Sequence, residues 1–297
     1  MKTVMPLCGK DAARLLKEHG SGEILGIYSA GTYLLFPDSG LLLITDRCRG
    51  YIPFGIGIHN YADFRDAISG KCMTEVKIIN NSANTALLNF GGCAEILAEL
   101  NGAIPCCSLT RAPKPEDVRN TARLLLQNKQ SGFAPVASTV LPEDERLELA
   151  DPFVSKAAAL TDSLLEALKC ENAKNTCDAV RGLVGLGHGL TPSGDDMLCG
   201  MLYCLHYNKW IKNGKEAASL LSHAVTEALA YTNTVSRRYL LAAAEGEYFS
   251  AVAELAEALS KNSDALPASL SRLLEIGSSS GADIATGMIM TYCAFME

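Results

Sequence analysis

Residues 185–200 read Gly-Leu-Gly-His-Gly-Leu-Thr-Pro-Ser-Gly-Asp-Asp-Met-Leu-Cys-Gly, and this stretch concentrates the residue types that could do chemistry. Gly185, Gly187 and Gly189 alternate, which lets the backbone take positive φ and approach a ligand with no side chain between. Thr191, Pro192, Ser193 and Gly194 form a turn sequence, with Ser193 placed to cap a helix and Asp195 and Asp196 in its first turn. A helix start offers unpaired N–H groups and a partial positive charge, so a glycine loop feeding one suits phosphate or carboxylate. The loop Gly187–Gly194, with His188 and Leu190 along it, is therefore the expected anion cradle. The two acids have three readings: complementing the helix dipole, holding Mg²⁺ that bridges to a phosphate, or orienting an amide. No Lys-Ser/Thr follows the last glycine, and no strand or ribose-binding acid accompanies the loop. These absences exclude the P-loop and the dinucleotide fingerprint.

A second segment echoes the first. Ser193-Gly-Asp-Asp-Met-Leu-Cys-Gly-Met201 and Ser280-Gly-Ala-Asp-Ile-Ala-Thr-Gly-Met288 share the pattern Ser-Gly-x-Asp-x-x-x-Gly-Met. Each copy has a Ser-Gly start, an acid in the first turn (Asp196, Asp283) and a small residue permitting close helix packing. The repeat predicts paired helix starts facing one cleft, with Ser280 and Gly281 joining the site; two similar helix caps are the plainer reading. Between the echoes lies Thr232-Asn-Thr-Val-Ser-Arg-Arg-Tyr239. There Thr232 and Ser236 offer hydroxyls, and either Arg237 or Arg238 is a candidate bidentate anion clamp; a solvated helix face is the competing reading.

Other chemistries find no support. His206 and His223 lack a metal-ligand spacing, no Gly-x-Ser-x-Gly elbow occurs, and no cysteine sits in a nucleophile's context. His59, near Gly55 and Gly57, is a weaker candidate for lining a cleft. Eleven cysteines are scattered without a Cys-x-x-Cys pair, which predicts buried, reduced thiols in a cytoplasmic protein. The opening Met1-Lys-Thr-Val-Met-Pro has no apolar core, so a secretory leader is not expected. A net charge of −7 argues against a broad nucleic-acid or anionic-membrane surface, though a local basic pocket stays open. No apolar run reaches the ~18 residues of a membrane span.

The elements that must position the motif divide in two. Strand-like runs occur at 24–29, 32–36, 41–45, 51–58, 75–79, 86–90 and 104–109, with a hairpin at Pro37-Asp-Ser-Gly40 whose glycine takes the strained position. Continuous apolar runs there predict strands buried on both faces or a curled sheet. Beyond Pro113 and Pro115 the period turns helical: a helix from 115, a loop over 131–142, then helices at 151–169, 195–207, 215–231, 235–244, 248–260, 266–276 and 282–295. The reading is an α+β protein, a β-rich part over 1–112 packed on a mostly α-helical part over 113–297 that carries the glycine loop.

These residues resemble a family. Gly185 to Gly200, Thr232 with Ser236, and Ser280 to Asp283 match the motifs of the AllH-like proteins. The resemblance implies a subunit of oxamate carbamoyltransferase in allantoin and purine breakdown, acting beside FdrA-like and AllG-like subunits. The implied reaction exchanges oxalurate and phosphate with oxamate and carbamoyl phosphate. The loop from Gly187 to Gly194 and its helix start would bind the anion, Arg237 or Arg238 would neutralise developing charge, and Asp195, Asp196 and Asp283 would orient the amine or hold Mg²⁺, the one cofactor admitted. His188 departs from the family pattern. Two other classes fit the same residues: a non-catalytic partner whose loop completes a site on another chain, and a metabolite-binding protein without turnover.

Overall fold

The computed structural model describes residues 2–4, 7–71, 74–100, 108–129, 131–261 and 264–296. It divides the chain into two compact units, Met1–Cys106 and Cys107–Glu297, and the α+β reading holds. Among the described residues, the first unit is a nine-stranded sheet with two α-helices. Its strands are β1 (Lys2–Val4), β2 (Leu7–Cys8), β3 (Ser21–Ile27), β4 (Gly31–Leu35), β5 (Leu41–Asp46), β6 (Gly55–Ile58), β7 (Glu75–Ser82), β8 (Thr85–Phe90) and β9 (Ala94–Glu99). They lie in the order β1-β9-β8-β7-β3-β4-β5-β6-β2. Neighbours are antiparallel except β1 with β9 and β5 with β6. β2 and β9 stand far apart in that order yet touch, so the sheet curls.

Helices α1 (Lys10–Glu18) and α2 (Tyr61–Ile68) close the core, where Leu16, Phe36, Ile56, Phe64 and Phe90 pack together. Apolar residues alternate with half-buried ones along β8 and β9, whereas β4 and β5 are buried almost throughout. The hairpin at 37–40 joins β4 to β5, but Ser39 rather than Gly40 takes the positive φ (60°). Gly40 packs close to the Leu15 side chain, which a Cβ there would displace. The strand expected over 104–109 lies mostly outside the described residues, and Leu109 forms a single bridge to Asn208 within the second unit.

The second unit is helical: α3 (Pro115–Asn128), α4 (Pro152–Lys169), α5 (Ala173–Leu183), α6 (Ser193–Tyr207), α7 (Gly214–Ala228), α8 (Thr234–Ala244), α9 (Ser250–Lys261), α10 (Leu266–Leu274) and α11 (Ser280–Met296). The 131–142 loop contains a 3-10 helix over Ala134–Val140. Local chemistry sets several starts. Pro115 opens α3 with its fixed φ, Asp151 caps α4 by accepting from the Phe153 and Val154 amides, and Asn233 caps α8 through the Val235 and Ser236 amides. The core is built around α6, whose residues Ser193 to Leu205 are all buried. Such an all-round buried helix has neighbours on every side, and α11 is its most extensive partner. Among the described residues, no helix is long and apolar enough to cross a membrane.

Eight cysteines lie among the described residues. Cys8, Cys199 and Cys204 are buried, but Cys48 and Cys170 are exposed and Cys93, Cys177 and Cys293 half-buried, so burial is not the common property of these thiols.

Candidate functional site

The glycine loop joins two helices. Helix α5 ends at Leu183, and three positive-φ glycines follow: Gly185 (77°), Gly187 (117°) and Gly189 (101°). Such φ values carry the chain away from helical pairing. The loop is closed at its base, where the Leu186 amide donates to the Leu183 carbonyl and the Gly194 amide to the Leu186 carbonyl. Between these ties, the N–H groups of Gly187, His188, Gly189, Leu190 and Thr191 find no acceptor among the described residues. The cap of α6 is Pro192, whose carbonyl accepts from the Asp195 and Asp196 amides. Ser193 is therefore the first helical residue rather than the cap, and its hydroxyl is free for a neighbouring helix.

Asp195 and Asp196 lie side by side in sequence but serve different neighbours. Asp195 Oδ1 accepts from the Gly185 amide (2.8 Å), and its Oδ2 from the hydroxyls of Thr232 (2.5 Å) and Ser236 (2.6 Å). The expected hydroxyls, of Thr232 just before α8 and Ser236 within it, thus come to the loop, where they bind Asp195 and tie the loop's first glycine to the start of α8. Burial raises the Asp195 pKa above its ordinary value, and the three donors oppose that rise.

Asp196 faces α11 instead. The Ser280 and Thr191 hydroxyls hydrogen-bond its carboxyl and lie 2.9 Å from each other. Asp283 is placed reciprocally, flanked by the hydroxyls of Ser193 and Ser279, while its Oδ1 accepts from the Phe133 amide at 2.6 Å. The echo in the sequence is thus a local two-fold relation in space: each copy's serine stands by the other copy's acid. It continues down the crossing. A Cβ on Gly200 would collide with the Ile284 carbonyl, and a Cβ on Gly287 with the Met197 carbonyl, each four residues after its own copy's serine. It continues outward too, because Gly194 abuts the Leu183 carbonyl and Gly281 the Leu273 carbonyl. The unit that repeats is helix–loop–helix, α5–α6 and α10–α11.

The two acids of the crossing are buried (Asp196 2% exposed, Asp283 0%), and the Oδ2 atom of each makes no hydrogen bond of normal geometry. Burial first, then the charge of Asp283, drives the Asp196 pKa well above the carboxylate range. Burial lifts Asp283 to about 7, against the Phe133, Ser193 and Ser279 donors and the positive charge of Lys129. Burial thus favours the protonated form of both carboxyls, and for Asp196 the charge of Asp283 adds to it. Cys199 lies one turn below. Burial first, then Asp196 and Asp195, raises its pKa well above normal, so its thiol stays neutral and is no nucleophile.

The exposed rim differs from these interior contacts. His188 stands out from the loop and packs edge-to-face on Phe153, ring centroids 5.5 Å apart. Phe153 (47% exposed), Leu190 (39%) and Tyr231 (56%) are large apolar side chains left open. Arg181 lies over the Tyr231 ring at 5.4 Å, and the Tyr231 carbonyl abuts Gly185. The two arginines of α8 turn elsewhere. Arg237 Nε donates to the Leu229 carbonyl (3.2 Å), and Arg238 faces Glu245 and Glu247 toward the helix's far end. Ser236 uses the loop-facing side of α8, and helical phase carries the next two residues off that side. Of the other candidate histidines, His59 is exposed and contacts Arg47, while His206 contacts Ser222.

Residues absent from the sequence reading complete the site. Lys129 Nζ reaches the Leu274 carbonyl (3.3 Å) beside the second loop, and the Ser131 hydroxyl donates to the Ser278 carbonyl. Gly132, at φ 63°, lies hard against the Asp283 carboxyl. Mg²⁺ finds a poor fit. Asp195 and Asp196 diverge, no three His, Cys, Asp or Glu side chains converge among the described residues of this unit, and Asp283 sits at a positive helix end within reach of the Lys129 charge.

Residues 183–292 match the family model of the oxamate carbamoyltransferase subunit AllH. The chain is AllH-like over that span. The match begins at the last residue of α5 and ends inside α11, so it holds both loops, α6 and α8. The family's description implies one subunit of a multi-subunit enzyme. No curated protein and no solved structure gives a significant match.

Proposed function

We propose that the chain is a subunit of an oxamate carbamoyltransferase-like enzyme, in which the loop Gly187–Gly194 holds an anionic group of oxalurate or carbamoyl phosphate. The observation that carries this is the run of five acceptor-less N–H groups from Gly187 to Thr191 ahead of the α6 start. Backbone donors fixed in place stabilise a phosphate, a carboxylate or the oxyanion of a tetrahedral carbon without reorganising. In the forward reaction a phosphate oxygen attacks the ureido carbonyl of oxalurate. The C–N bond breaks, carbamoyl phosphate forms, and the departing oxamate nitrogen takes a proton. That proton has a source. Burial favours a proton on Asp196 and on Asp283, and the Thr191 and Ser280 hydroxyls link Asp196 to the loop. Asp196 acts through those hydroxyls, Asp283 stands beside the hydroxyls of Ser193 and Ser279, and both are positioning residues. Asp195, Thr232 and Ser236 fix the loop's base. Mg²⁺ carries no step in this scheme.

A second reading has a specific observation behind it: Phe153, Leu190 and Tyr231 stand exposed around the loop. It makes the loop one half of a site completed by an FdrA-like or AllG-like subunit. Both readings are tested by titrating the purified chain with phosphate, carbamoyl phosphate, oxamate and oxalurate, with and without Mg²⁺, and following the melting temperature. The proposal expects a concentration-dependent rise that EDTA leaves intact and Asp196→Ala abolishes. A rise confined to the mixed complex selects the second reading. No rise in either form, or one that Asp196→Ala preserves, refutes the assignment.

A further inference from the structure

An anion on the glycine loop needs a countercharge, and α8 does not supply it, because Arg237 and Arg238 turn elsewhere. Arg181 stands in the last turn of α5, one turn before Gly185. Its guanidinium lies over the ring of Tyr231, 5.4 Å from the ring centroid. The Tyr231 backbone is fixed against the loop. A Cβ on Gly185 would collide with the Tyr231 carbonyl, the neighbouring Thr232 hydroxyl donates to Asp195, and the Leu229 carbonyl accepts from Arg237 Nε. The Tyr231 side chain itself is exposed. An anchored residue at the loop's first glycine thus carries an arginine on its ring.

What Arg181 lacks is a partner for its donors. Elsewhere in the helical unit Arg119, Arg123, Arg238 and Arg272 stand against carboxylates, and Arg146 and Arg237 donate to carbonyls. Arg181 has neither among the described residues, although the ring holds it in place. Fixing a long side chain costs rotamer entropy, and here no hydrogen bond within the unit offsets it. A guanidinium held over a ring with its N–H donors empty offers the fork that a carboxylate fills bidentately. Complementing the negative end of α5 would need only a positive charge, which lysine supplies as well.

We propose that Arg181, positioned by Tyr231, is the carboxylate clamp of the glycine-loop site. The proposal rests on the anion role of Gly187–Gly194 and names the other half of the ligand. That ligand is a small planar acid with an amide next to its carboxylate, as in oxamate. Its carboxylate bonds Arg181, which leaves the loop amides for a phosphate or a developing oxyanion. Tyr231 touches the cation and not the ligand, and is a positioning residue.

Calorimetric titration of the full chain with oxamate and, separately, with inorganic phosphate tests this. The variants are Arg181→Gln, Arg181→Lys, Tyr231→Phe and Tyr231→Leu, all at exposed side chains, and circular dichroism checks that each folds. Arg181→Gln should weaken oxamate by about tenfold or more and phosphate by less than about threefold. Arg181→Lys should not restore oxamate binding, because a point charge lacks the fork. Tyr231→Phe should keep oxamate affinity where Tyr231→Leu loses it, because the ring and not its hydroxyl holds the cation. Equal oxamate affinity in wild type and Arg181→Gln, with phosphate still bound, overturns the clamp while the loop reading stands. Full restoration by lysine also overturns it and leaves Arg181 a complement to the helix dipole. A wild type that binds phosphate but not oxamate overturns it in favour of a carboxylate on another subunit. No binding of either anion to the wild type overturns both the clamp and the loop.

Discussion

Asp283→Asn should stabilise this protein at alkaline pH. The carboxyl is fully buried, and burial lifts its pKa from the ordinary 3.8 to about 7. The folded state therefore binds a proton that the unfolded chain has already released between those values. Stability then falls as pH rises from about 4 to about 7, and the loss is complete above the folded value. A rise of this size corresponds to ~4 kcal/mol. Asparagine removes that cost while keeping a carbonyl oxygen for the Phe133 amide. What it forfeits is the charge-assisted part of that bond and the attraction to Lys129, together ~1–2 kcal/mol. The net gain at pH 8.5 is then ~2–3 kcal/mol, or roughly 5–10 °C in melting temperature for a unit of this size.

At pH 5 the wild-type carboxyl is already neutral, and the two proteins should melt within about 2 °C of each other. The groups that enter the profile are named by the geometry: Asp196 on α6, Lys129 after α3, and Asp283 itself. The assay is thermal and urea unfolding of both proteins between pH 5 and 9. A variant less stable than wild type at pH 8.5, or a difference that does not change with pH, would refute the burial argument and with it the proton assigned to this carboxyl.

Other consequences follow from the same contacts. Gly287→Ala forces a methyl against the Met197 carbonyl and should cost ~2–3 kcal/mol in urea unfolding, with Gly200→Ala costing a similar amount because the contact is reciprocal; a change below about 0.5 kcal/mol for either would disprove the close crossing. Arg237→Ala should change phosphate affinity by less than about twofold, since its guanidinium bonds the Leu229 carbonyl. A tenfold loss in the same calorimetric titration would return the clamp role that its sequence position suggested.

The parts of this structure legible in the sequence are those where a contact demands a residue type at a fixed spacing. The echo was visible because each serine must meet the other copy's acid and each glycine the other copy's carbonyl, so both copies need the same residues at the same intervals. The long helices of the second unit were visible through their period. α5 was not: Asn175, Thr176, Cys177 and Gly182 are weak helix formers, and tertiary packing against α4 and α7 sustains it. β9 hid for the opposite reason, as Ala-Glu-Ile-Leu-Ala-Glu favours helix and becomes strand only through its ladder with β8. Arg237 and Arg238 were misleading because adjacency says nothing of helical phase. The Phe133 amide that holds Asp283 lies 150 residues away and acts through its backbone, which no side-chain pattern encodes.

The two-fold relation also separates scaffold from elaboration. Ser193 with Asp283, Ser280 with Asp196, and the glycines of the crossing are common to both copies, so they are what the packing of α6 on α11 uses. Packing alone does not explain the acids, because apolar residues of similar size at such a crossing would hold it at least as well and without the ionisation cost. Both copies keep the costly group, and in both it lies under a loop of unused donors. The loops then differ where the scaffold does not: six residues, Gly187 to Pro192, against three, Gly277 to Ser279. The longer one carries His188 and Leu190 into solvent beside Phe153, while the shorter one lies under Lys129. A shared base with unequal loops leaves the longer loop as the part of this unit that the packing of α6 on α11 does not require.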